Sequence, residues 1–251
     1  MLEYKYRIEV ADVSIKNVAS AIARVFNTKA RYKIIDTHDA YEIAITHDRD
    51  IEVGFSEYVK AENPEEQVFI QMPIMYLDVQ EDFLLFKDVI TALKAIGCQT
   101  NSTCAMYIKT PLLCDDAMLG CIFSEYIDIQ YDQIQFFDVS PDIIKERSKL
   151  YKYRNKGIEF DNCNDIIDYI NASYQKILDD DPLFAQNFSL NFFPYFTEKT
   201  IEFRAFNSVL DMQYILEATA WIEYFLYVCK MDYNTGWKLY YDFVREREKK
   251  H

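Results

Sequence analysis

The side chains in this sequence with the means to do chemistry are few, and they lie in apolar, β-like segments. Glu202 and Arg204 alternate in TIEFRAFN (200–207), so on a strand both point to one face. Arg204 presents a planar guanidinium fork that matches phosphate or carboxylate, and Asn191 and Asn207 carry amides nearby in the sequence. Two readings stay open for the Glu202–Arg204 pair: an anion site, or an ion pair satisfied within the sheet. Arg7 and Glu9 have the same spacing in KYRIEV, where a carboxylate beside a guanidinium forms an ion pair. Lys109, two residues after Tyr107, can act as a base only if burial lowers its pKa, since an unperturbed lysine titrates near ~10. His38 and His47 lie next to Asp39 and Asp48; single histidines without a second ligand read as surface residues.

Composition narrows the classes. A chain of 251 residues that is 50% apolar has enough material for a sizeable core. With only 5 Gly and 6 Pro, and no stretch rich in them, nothing reads as a linker, so one domain over 1–251 is expected. The six cysteines (Cys98, Cys104, Cys114, Cys121, Cys163, Cys229) contain no CxxC pair and stand beside only 3 His, which argues against zinc and for free thiols. No apolar run reaches membrane-spanning length, and the first residues lack a signal-peptide pattern; a soluble, cytoplasmic protein is expected. A net charge of −14 disfavours general nucleic-acid binding, which depends on Lys and Arg, and suits a basic partner. The run KERSKLYKYRNK (145–156) is the exception; it reads as a solvated helix end or loop, with an anion or partner contact as the functional alternative. The 20 Tyr and 18 Phe can fill a core or supply contact surface.

The elements that would position these residues follow from periodicity. A strand over Glu3 to Val10 precedes a helix capped by Ser14 and carrying Ile15, Val18, Ile22 and Val25 on one face. Ala30 to Ile35 and Tyr41 to Thr46 read as a hairpin around DTHDA (36–40). Gln67 to Leu77 is extended, and Pro73 inside it favours an edge strand or a bulge. Asp78 to Ile96 has helical spacing and Gly97 closes it; Thr103 to Thr110 returns as a strand. The middle is helical, with stripes Met118-Ile122-Tyr126-Ile129 and Ile166-Ile170-Tyr174-Ile177. Phe188 to Phe193 and Thr200 to Phe206 read as two strands bracketing a turn at Pro194, before helices from Met212 and around Trp237.

This element order, with three short phrases, resembles the amidoligase family, glutamine-synthetase-like ligases that join a carboxylate to an amine with ATP and magnesium. The phrases are TIEFRAFN followed by Leu210-Asp211 and a helix, NSTCAMYIKT (101–110) after the long helix, and the opening KYRIEV with the helix that follows. The likeness spans most of the chain. It implies an α+β fold with a largely antiparallel sheet packed with helices, a helical insertion at about 114–180, and C-terminal helices at about 211–248. For an active member it implies ATP and magnesium, with Glu9 and Glu202 on the metal, Arg204 on phosphate or the acyl-phosphate, Asn191 and Asn207 as further ligand contacts, and Lys109 as the base. The sequence departs from the family pattern at Arg7, where a second carboxylate belongs, and at Tyr107 and Lys109, where the family has His-x-His. It departs again around Pro73, where Met72 and Ile74 replace polar residues. These departures lead to the expectation of a non-catalytic, acidic protein-interaction module that holds no metal or cofactor and binds another, basic protein. Such a stripped scaffold would suit a phage or mobile-element protein that inhibits a host protein. The alternative is a divergent ATP- and magnesium-dependent amidoligase.

Overall fold

The computed structural model describes residues 3–35, 37–46, 49–146, 150, 164–166, 168–169, 188–231, 238 and 242. The strands are β1 (Tyr4–Val10), β2 (Ala30–Ile35), β3 (His38–Thr46), β4 (Arg49–Phe55), β5 (Val68–Met75), β6 (Met106–Pro111), β7 (Leu190–Asn191) and β8 (Thr200–Phe203). Between and after them lie the helices α1 (Ile15–Val25), α2 (Gln80–Ala95), α3 (Asp116–Phe136), α4 (Pro141–Glu146), α5 (Phe193–Glu198) and α6 (Met212–Cys229). All eight strands join one sheet in the order β2-β3-β4-β5-β1-β6-β8-β7, and every pairing is antiparallel. The fold is therefore mixed α and β around an antiparallel sheet.

The alternation of β1 explains how the sheet is used. Tyr4, Tyr6, Ile8 and Val10 are buried on one face, whereas Lys5, Arg7 and Glu9 point to the other. The apolar face carries the helices. The Tyr6 ring lies 5.0 Å from Phe86 of α2, its hydroxyl pairs with Thr219 of α6 at 2.8 Å, and Phe203 of β8 meets Tyr126 of α3 and Trp221 of α6 edge-on. α1 packs on β3 and β4 through Ile15, Val18 and Ile22. None of the described helices is long and apolar enough to cross a membrane.

Several expectations hold and several are corrected. Ser14 caps α1 through its carbonyl, which accepts from Val18, with no side-chain cap bond. Gly97 closes the α2 turn at φ +86°, the left-handed region that a glycine enters without strain. The hairpin turn is shorter than read: His38 and Asp39 belong to β3, and Thr37 supplies the left-handed residue. β4, RDIEVGF, is an additional strand, whose Ile51 and Val53 fill the apolar face. The β4–β5 ladder ends at Glu52–Gln71, so Pro73 stands past the last β4 pairing of an otherwise interior strand, opposite the register shift between Lys5 and Arg7; a local edge and an irregularity together accommodate a residue without an N–H. Phe193 to Glu198 forms α5, not a turn, because Pro194 fits the first turn of a helix. The Ile170-Tyr174-Ile177 part of the second stripe, His47, Cys163, the segment around Trp237, and all but Lys145, Glu146 and Leu150 of the basic run lie outside the described residues.

Burial of the tyrosines has a consequence for pH dependence. Loss of solvent holds Tyr4, Tyr6 and Tyr214 protonated well above the usual phenol range, and burial pushes the Cys98 thiol up to about 12. An acid with a raised folded pKa contributes stability that is complete below its unfolded pKa, near ~8.5 for thiols and ~10 for phenols, and that is lost as pH rises through the folded value. The thermal unfolding midpoint is expected to fall between about pH 9 and pH 11, and Tyr6→Phe, which removes one of these groups, to make the fall shallower. Calorimetry over that range checks both; parallel curves for the two proteins would contradict the assignment.

Candidate functional site

The face of the sheet opposite the helices brings together most of the residues singled out from the sequence. Register sets two rows across the strands. Asn191, Glu202, Lys109 and Lys5 stand side by side on β7, β8, β6 and β1. One step along, Gln71, Arg7 and Tyr107 align on β5, β1 and β6, and Arg204 follows Phe203 at the end of β8.

Glu9 has no exposed surface. Its Oε1 accepts a hydrogen bond from the Ser56 hydroxyl at 2.7 Å, and its Oε2 accepts from the Ala105 N–H at 2.9 Å. The Arg7 guanidinium approaches Oε1 to 3.9 Å. A buried carboxylate is tolerated only when paired and hydrogen-bonded, and here both conditions are met within the chain. Arg7 is itself held in place: its guanidinium carbon lies 4.2 Å from the Phe69 ring centroid and 5.7 Å from that of Tyr107, contacts worth roughly 0.5–2 kcal/mol each. The Phe69 ring in turn covers Gly54, its register partner; a Cβ at Gly54 would sit 2.8 Å from Phe69 Cε1, so the absence of a side chain there leaves room for the platform.

Arg204 is buried and stacks over the other neighbour, with its guanidinium carbon 4.3 Å from the Tyr107 centroid and its Nε 3.7 Å from Glu202 Oε2. Desolvation pulls the Arg204 pKa down, but Tyr107 and Glu202 outweigh it and the net shift is upward. Glu202 Oε2 also accepts from the Asn191 amide at 3.3 Å, and Asn191 Oδ1 accepts from the Phe193 N–H at the start of α5. Of the two readings open for Glu202 and Arg204, their geometry is that of an ion pair.

Lys109 and Asn207 each have partners within the chain. Lys109 is occupied by an ion pair with Glu198, at the end of α5. Asn207 Oδ1 accepts from the Ser140 N–H, and its amide donates to the Phe137 and Asp138 carbonyls. It braces the turn between α3 and α4 against the sheet. Glu9 and Glu202 do not converge: their register places them roughly 13 Å apart along the strands and roughly 10 Å across them, and the four oxygens of a shared site would need to lie near ~2.1 Å from one magnesium ion. Among the described residues, no group of three or more His, Cys, Asp and Glu side chains is arranged to hold a metal ion. His38 is exposed and stacks on Phe55 at 4.2 Å between centroids, as a surface residue would; Asp39 accepts from Tyr32.

The sequence reading missed a cleft of about 500 Å³ further along the same face, lined by Lys5, Lys33, Glu42, Glu52, Gln71 and Ile74 among others. Lys33 sits between Glu52 at 2.6 Å and Glu42 at 3.6 Å, and Arg49 joins Asp82 at 2.7 Å. The polar alternation of RDIEVGF was the available signal, visible once that segment is taken as a strand.

No protein-family model and no curated protein matches this chain. The chemistry of the face therefore rests on its geometry, in which Glu9 is paired with Arg7 and Glu202 with Arg204.

Removing Glu9 should leave the Ala105 N–H and Ser56 hydroxyl without their acceptor and Arg7 without its counter-charge. Glu9→Ala is expected to cost about 3–5 kcal/mol, whereas Lys109→Ala, which breaks an ion pair whose Glu198 side is largely exposed, should cost at most about 1 kcal/mol. Urea unfolding followed by fluorescence measures both; similar losses would contradict the difference in burial.

Proposed function

We propose that this chain is a non-catalytic protein-interaction module on an amidoligase-like scaffold. One observation carries the reading: at the position where such a ligase would hold a cation, Glu9 is sealed from solvent and saturated by Ser56, Ala105 and Arg7. A guanidinium within 4 Å of the carboxylate supplies the positive charge a metal would otherwise bring. The second pair, Glu202 with Arg204, repeats the arrangement on β8.

The outer surface supports an interaction role. The net charge of −14 favours a basic protein partner, whose approach it would accelerate. Large apolar or amphipathic side chains, among them Leu113, Tyr131 and Tyr227, are exposed, and tyrosine is a residue type enriched in protein interfaces.

Isothermal titration with Mg·ATP, coupled to an assay of ADP and AMP release in the presence of carboxylate and amine mixtures, tests the reading. No stoichiometric heat and no nucleotide turnover are expected. Amine-dependent release of ADP or AMP would overturn it in favour of a divergent amidoligase with Glu202, Arg204 and Lys109 in the roles the resemblance implies.

A further inference from the structure

The two edges of the sheet are built differently. β7 is two residues long, and both Leu190 and Asn191 are buried, so that edge offers nothing to another chain. β2 runs six residues, Ala30–Ile35, and pairs with β3 on its inner side. Among the described residues no strand pairs with its outer side, which leaves the N–H and C=O groups of about every second residue turned outward.

The side chains of this edge are sorted as well. Tyr32 and Ile34 alternate on one face of the strand and are 58% and 64% exposed. A guarded edge does not normally present two large apolar side chains in a row, because such an edge is a template for pairing. Lys29, just before the strand, and Arg31 and Lys33 within it alternate on the opposite side. Lys33 is engaged by Glu52 and Glu42; Arg31 stands opposite Glu42 in the register, and Lys29, one residue before the strand, is exposed. A chain with a net charge of −14 thus carries three cations in alternation along this strand edge.

We propose that β2 is a docking edge for an extended acidic segment of a partner protein, which adds to the sheet as a further strand. The backbone supplies the hydrogen bonds, and the alternation supplies the choice of sequence. Acidic residues of the segment would lie against Lys29 and Arg31, and its apolar residues against Tyr32 and Ile34, each favourable cross-strand pair adding roughly 0.2–1 kcal/mol. A strand about 4.8 Å away lies inside the ~8 Å screening length of physiological salt, so it feels these cations more than the acidic surface beyond. A second copy of the chain fits less well: antiparallel pairing of β2 with itself centred on Arg31 sets Lys29 against Lys33 and Arg31 against itself, and centred on Tyr32 sets Arg31 against Lys33. This inference goes beyond the interaction-module reading and does not rest on it, since an edge strand accepts a peptide whether or not the chain turns over nucleotide.

The test uses the full chain and three fluorescein-labelled peptides: alternating Glu-Val, alternating Lys-Val, and Glu-Val with every second amide N-methylated. Fluorescence anisotropy is expected to show saturable binding of Glu-Val, at least about tenfold tighter than Lys-Val or the N-methylated peptide. Arg31→Glu and Ile34→Glu, both on exposed positions, should each weaken Glu-Val binding about fivefold or more with an unchanged unfolding midpoint. Equal binding of the three peptides, no saturation up to about 1 mM, or binding indifferent to both substitutions would overturn the proposal. So would a concentration-dependent dimer in sedimentation equilibrium that Ile34→Glu abolishes, which would assign the edge to a second copy. None of these outcomes bears on nucleotide turnover, so failure here and failure of the interaction-module reading are told apart.

Discussion

The polar face of this protein is organised around one electrostatic requirement, the compensation of Glu9. A carboxylate with no exposed surface in the middle of an eight-stranded sheet forgoes hydration and must recover it from fixed donors and a counter-charge. Ser56 and Ala105 supply the donors from either side of β1, and Arg7 supplies the charge. That demand propagates outward. Arg7 needs a platform, Phe69 provides it, and Phe69 can occupy its position because Gly54 across the register has no side chain. Strands β1, β5 and β4 are thereby tied into one local arrangement, with each member's position setting the next.

Tyr107 links this arrangement to its counterpart on β8. Its ring faces Arg7 on one strand and Arg204 on another, and Arg204 is neutralised by Glu202, which Asn191 also holds. Two guanidiniums and two carboxylates therefore sit on the same face in matched pairs. These four charges are spent on one another and on aromatic rings. The remaining polar groups nearby serve architecture, with Asn207 bracing the α3–α4 turn and Lys109 joined to Glu198 beside α5.

Much of the architecture was legible in the sequence. The alternation of KYRIEV, the 3.6-residue spacing between Asp78 and Ile96, the glycine that ends that helix, and the apolar stripe from Met212 each report a local, periodic constraint, and each appears as an element of the expected type. The misreadings have physical causes. RDIEVGF was passed over because its charged half hides a strand whose other half is buried. Pro73 suggested an edge or a bulge, and it stands where β5 has run past its β4 neighbour, although the strand as a whole is interior. FPYFTE looked like strand and turn by composition, but proline at the start of a helix loses no hydrogen bond.

By itself the sequence determined which residues share a face: period-two alternation is enough to place Arg7 with Glu9 and Glu202 with Arg204 on one side of their strands. Only the tertiary structure decided what those residues do there. Whether Glu9 meets solvent, a cation or Ser56 depends on residues 47 and 96 positions away. That Arg204 stacks on Tyr107 depends on strand order, and that β2 is an edge depends on where the sheet stops. These are properties of long-range pairing, set by the packing of the whole sheet, and no local pattern encodes them.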